Sequence, residues 1–113
     1  MNVVVLQGVL SSAPVCRQLA SGAVVVSLEL TTPTESGQAS VPIAWFDPPT
    51  EVTWAPGDEL VVVGTVRRRF FRSGGITQSR TEVVATAVLP IAKRRLVRAA
   101  LARAGSSLQP AGV

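Results

Sequence analysis

Arg67-Arg68-Arg69-Phe70-Phe71-Arg72 directly follows the β-branched run Leu60-Val61-Val62-Val63-Gly64-Thr65-Val66. Guanidinium groups bring the positive charge and forked donors that match phosphate oxygens, and an aromatic ring among them offers a flat surface for an unpaired base. Side chains of an extended strand alternate between faces, so Leu60, Val62, Gly64 and Val66 share one side while Thr65, Arg67, Arg69 and Phe71 share the other. The first side suits a core, and the second presents cations with a ring. Single-stranded nucleic acid is the ligand that needs this pairing. Arg67, Arg69 and Arg72, with Arg80 beyond the next turn, are the expected phosphate contacts, and Phe71 is the expected stacking residue. Phe70 points the opposite way and is expected to pack inside or at an interface.

The charge distribution agrees with this reading. The chain has 113 residues, 11 basic and 7 acidic, with a net charge of +4. Residues 1–59 contain a single arginine and six of the carboxylates, whereas residues 60–113 contain the remaining cations and only Glu82. Such an imbalance predicts a basic surface, for which phosphate backbones are the commonest reason and an anionic membrane surface the main competitor. With no histidine and a single cysteine, Cys16, a disulfide framework, a zinc cluster and a His-dependent triad are excluded within one chain. The expectation is a protein without a cofactor, a metal or a small-molecule substrate. Cys16 is read as a small packed hydrophobe. The apolar opening lacks a basic leader, and no apolar run reaches the length that crosses a bilayer, so a soluble cytoplasmic protein is expected.

The elements that must hold these residues read as strands. Asn2 to Leu10 is the first, with Gly8 at a bend or bulge, and Ser11-Ser12-Ala13-Pro14 ends it. Val24 to Thr31 follows with Val26, Leu28 and Leu30 on one face. Ala39 to Phe46 is the third, with Pro42 marking an edge or irregular position, and Asp47-Pro48-Pro49-Thr50 stops it. Three prolines and a glycine in residues 47–58 leave little room for a regular helix. Glu59 to Phe71 is the fourth strand, Ser73-Gly74-Gly75 the turn and Thr77 to Val88 the fifth. After Pro90, Lys93 to Arg103 carries helix formers with Leu96, Val97, Ala100, Leu101 and Ala104 on one stripe, closed by Gly105-Ser106-Ser107. Leu108 to Val113 is expected to be disordered. The predicted fold is therefore all-β, a five-stranded Greek-key OB-fold barrel over residues 1–90, followed by a short basic C-terminal helix and tail over residues 91–113.

Four segments in order resemble the bacterial single-stranded DNA-binding protein family. Val3 to Leu10 is similar to its opening strand, Ser21 to Leu28 to its glycine-led second strand, Gly57 to Arg67 to its fourth, and Thr81-Glu82-Val83-Val84-Ala85 to its closing strand. The likeness covers roughly residues 3–90. It implies an OB fold, sequence-independent binding of single-stranded DNA by stacking and basic grooves, and self-assembly, most often as a homotetramer, with a dimer as the other possibility. It also implies a role in DNA replication, repair or recombination. Phe71 falls where the family has a stacking aromatic after the basic end of strand four. Trp45 resembles the aromatic near the end of strand three, but the segment is one residue short, so Phe46 is the alternative. Two departures stand out. The proline-rich Asp47 to Pro56 replaces the family's helix between strands three and four, and the acidic tail that recruits repair enzymes is missing, so coating of DNA without recruitment by that route is expected.

Several readings stay open on the sequence alone. Trp54 either stacks on a base or covers the end of the barrel. The C-terminal helix either packs or touches phosphates, and its alanine-rich apolar face disfavours membrane insertion. The rival functions are an RNA-binding OB protein and an OB-type assembly module with weak nucleic-acid binding. An enzyme is the least favoured reading, because the carboxylates are scattered and no activated nucleophile is apparent.

Overall fold

The computed structural model describes residues 1–108. Six strands precede one helix: β1 (Val4–Leu10), β2 (Val15–Gln18), β3 (Val24–Thr34), β4 (Gly37–Phe46), β5 (Glu59–Ser73), β6 (Ile76–Pro90) and α1 (Arg94–Ser106). They form one sheet in the order β1-β5-β6-β4-β3-β2, and a further β1–β3 pairing closes it. Five of the strands make the barrel, with β2 added outside on β3. All the barrel pairings are antiparallel except β4–β6, which is parallel at Ile43↔Val83 and Ala44↔Val84. This is an OB-like Greek-key barrel followed by a short helix, as expected.

The apolar pattern explains the closure. Leu10, Val26, Leu28, Leu30, Ile43, Leu60, Val62, Val83 and Val88 meet in one buried cluster, and each comes from the inward set of its strand. Gly8 lies where β1 leaves β5 for β3, and a Cβ there would overlap the Thr31 carbonyl oxygen. Gly64 is similarly pressed against the Val84 carbonyl, next to a register shift between Val63 and Gly64. The shift lies on β6, where Thr86 is the extra residue and its hydroxyl donates to the Val63 carbonyl at 3.0 Å. Residues 60, 62, 64 and 66 therefore keep one face throughout β5, as alternation predicts. Pro42 sits in the half of β4 that pairs only with β3, before the parallel pairing begins at Ile43, so its missing N–H removes no ladder bond to β6.

Beyond Val66, β5 and β6 leave the barrel as a two-stranded ribbon that ends in the turn Gly74-Gly75. Both glycines have positive φ, 61° and 79°, the mirror-image turn that matches strand twist. At the ribbon's root β1 no longer pairs with β5. Asn2 occupies that place: its Nδ2 donates to the Val66 carbonyl at 2.7 Å, and its Oδ1 accepts from the Val66 N–H at 2.9 Å.

The structure corrects three expectations. β2 was not expected, and all four of its residues are exposed. Cys16, on that strand, is exposed rather than packed. Phe70 does not pack inside this chain: it is 68% exposed, because its face of β5 has no opposing sheet once the strand has left the barrel, which leaves only the interface half of that expectation. Residues 47–58 contain no helix, and Asp47 ends β4 with φ 47°, its carboxylate accepting from the Val24 N–H at 2.9 Å. Helix α1 lies against β5 and β6 with Val97 and Ala100 buried. The tail read as disordered lies, after Leu108, outside the described residues. No helix among the described residues is long and apolar enough to cross a membrane.

Candidate nucleic-acid interface

Cross-strand register builds the site. Because β5 and β6 are joined by a two-residue turn, Arg67 faces Glu82, Arg69 faces Arg80 and Phe71 faces Gln78. These pairs share the outer face of the sheet. On β4 the outward set includes Phe46, which pairs with Val25 of β3, and Glu29 of β3 lies outward opposite Pro42. Phe46, Arg67, Arg69, Arg80 and Phe71 thus come together across three strands.

Glu82 organises them. It is the buried carboxylate of this face, 6% exposed, and its Oε1 takes Arg67 Nη2 at 3.0 Å, Arg67 Nε at 3.1 Å and Arg69 Nε at 3.2 Å. Drawn toward this centre, the two guanidiniums each lie over a ring, Arg67 5.2 Å from the Phe46 centroid and Arg69 5.3 Å from that of Phe71. Arg80 is held separately, its Nη2 2.8 Å from Glu29 Oε1, while Ser40 donates to the other oxygen at 2.9 Å. The result is a row of flat groups, two guanidiniums flanked by two rings: Phe46, Arg67, Arg69 and Phe71. Glu82 holds both guanidiniums in place, and these arginines are more than two-fifths exposed. Rings and guanidinium planes are both stacking surfaces for bases, and the exposed guanidinium edges retain donors for phosphate. A cleft of about 190 Å³ beside the row is lined in part by Ala13, Val15, Glu29, Arg69 and Arg80.

The other sequence candidates are placed elsewhere. Trp45 is 6% exposed inside the barrel, on the same face of β4 as Ile43, and it stacks on Trp54 with centroids 5.9 Å apart and planes 10° apart. Of the two adjacent aromatics, Phe46 is the one on the outer face. Trp54 is half-buried against the core cluster, so it covers the barrel end, and its remaining surface lines a groove of about 630 Å³ with Lys93 and Arg103. Arg72 is on the opposite face of the ribbon from Phe71, with Nη2 donating to the Gly75 carbonyl at 3.0 Å.

Sequence reasoning passed over Glu82 and Glu29. Glu82 was within reach, since counting outward from a two-residue turn at Gly74-Gly75 puts it opposite Arg67. Glu29 meets Arg80 only through the packing of distant strands, for which no local signal exists. Among the described residues no group of three or more His, Cys, Asp or Glu side chains is placed to hold a metal. No protein-family model matches the chain, and no curated protein matches it.

Proposed function

We propose that this protein binds single-stranded DNA with little sequence preference, without catalysing a reaction, and coats it during replication, repair or recombination. The observation that carries this reading is the row Phe46, Arg67, Arg69 and Phe71 on the outer face of an OB-like barrel. The third barrel strand, β4, and the hairpin between the fourth and fifth are surfaces with which OB domains meet oligonucleotides. Stacking on rings and guanidinium planes is available to every base, which favours unpaired bases over a particular sequence. Assembly into a homotetramer or dimer, and a place on cytoplasmic nucleoid DNA, belong to the same reading.

The test is a fluorescence-anisotropy titration of labelled oligo-dT, its duplex and an RNA of equal length at two salt concentrations. The expected result is preference for the single DNA strand, with log K falling against log salt at a slope of about −2 to −3, as three or four neutralised phosphates require. Equal, weak binding of all three ligands would reduce the row to a basic surface and leave the assembly module as the better account. Tighter binding of the RNA would transfer the site to that ligand.

A further inference from the structure

The ribbon has two faces, and only one belongs to the row of rings and guanidiniums. On the other, Arg68 pairs with Thr81, Phe70 with Ser79 and Arg72 with Thr77. This face continues the barrel's inward set, yet nothing covers it: Phe70 is 68% exposed, and Val66 at the root is 43% exposed. A ring exposed between two cations is the combination that a base and its flanking phosphates require. Both arginines are ordered along the ribbon, Arg68 by its Nε donating to Ser79 Oγ at 3.1 Å and Arg72 by the Gly75 carbonyl.

The faces differ most in charge. The outer one sets Arg67, Arg69 and Arg80 against Glu82 and Glu29, all within ion-pair distance. The second has two arginines in these pairs and no carboxylate. A phosphate arriving at the outer face competes with carboxylates already in place, whereas at the second face it displaces a neutral hydroxyl or carbonyl at most.

Resting on the reading that the protein binds single-stranded DNA, we infer that Arg68, Phe70 and Arg72 form a second contact site for the same strand, with a base on Phe70 and phosphates on the flanking guanidiniums. Alternate residues along a strand are about 6.6 Å apart, so the ring stands between two cations on one side of the ribbon. The strand then engages both faces of the arm. A second copy of the chain meeting this face with its own would bring four guanidiniums together without a carboxylate, so charge favours the polyanion.

Phe70→Ala, Arg68→Gln and Phe71→Ala are compared with the parent protein in oligo-dT anisotropy, with sedimentation mass and thermal midpoint measured on each. Phe70→Ala is expected to weaken binding roughly tenfold, the loss of one stacked base. Arg68→Gln is expected to make the salt slope shallower by about 0.7, the loss of one phosphate. Both variants alter exposed residues, so midpoints should not move. If the parent binds and Phe71→Ala weakens it while Phe70→Ala and Arg68→Gln do not, the second face is refuted and the outer row stands. A fall in assembly mass with Phe70→Ala at unchanged affinity would assign the face to a second copy and refute the site equally. Failure of the parent itself to bind single strands overturns the function and this site together.

Discussion

Strands β5 and β6 pass through two regions with opposite physics. Inside the barrel, Leu60 to Gly64 are buried on both faces, the inward set by the core and the outward Val63 beside Ala100 of α1. In the ribbon, residues 66–73 and 76–81 are exposed, apart from the half-buried Phe71. The backbone ladder continues through both. Hydrophobic burial holds the first region, while the second keeps its shape through cross-strand pairs, a carboxylate hub and a two-glycine turn. A strand pair therefore has a fold-bearing half and a ligand-facing half, and substitutions in the two should separate stability from binding.

Amide hydrogen exchange gives the widest contrast. Amides of Leu60 to Val63 should exchange only through global unfolding, at a cost of about 5–15 kcal/mol, while those of Arg68 to Ser73 open locally at a small fraction of it. Equal protection in both would show that the ribbon is no separate region. Next in size, Leu60→Ala empties a fully buried position and should cost about 2–5 kcal/mol in chemical denaturation, leaving DNA affinity intact below the midpoint. Glu82→Gln follows, at about 2 kcal/mol, because hydrogen bonds to charged groups are lost at a buried position. It should also steepen the salt dependence of DNA binding as Arg67 and Arg69 become free for phosphates, which repeated titrations at several salt concentrations would read. Phe71→Ala is the smallest in free energy, about 1.4 kcal/mol or tenfold in affinity, and it should leave the melting temperature unchanged. A large stability loss from it would place Phe71 among the supporting residues instead.

The barrel was legible because its signals are local and agree with one another. Alternation in Val26, Leu28 and Leu30, the glycine turns and the prolines after Phe46 each delimit a strand within a few residues of its observed ends. β2 escaped because Val15-Cys16-Arg17-Gln18 has no buried face to impose a pattern and exists through its pairing with β3. Alternation placed Arg67, Arg69 and Phe71 together correctly, but it carries no information about where a strand leaves its sheet. For that reason Phe70 was expected to pack. Trp45 and Phe46 were separable in principle, since Trp45 shares parity with Ile43 and Val41, both apolar. Glu29 reaching Arg80 depends on strand order, which no short stretch of sequence encodes.

Asn2 gives the ribbon a mechanical property. An arm of two strands ordinarily flexes where it leaves its sheet, and here that joint is splinted by one side-chain amide bridging both polar groups of Val66. Bending there breaks two hydrogen bonds, each worth about 1 kcal/mol. The amide thus raises the cost of bending at the joint while leaving the outer part of the ribbon, toward Gly74-Gly75, free of that constraint.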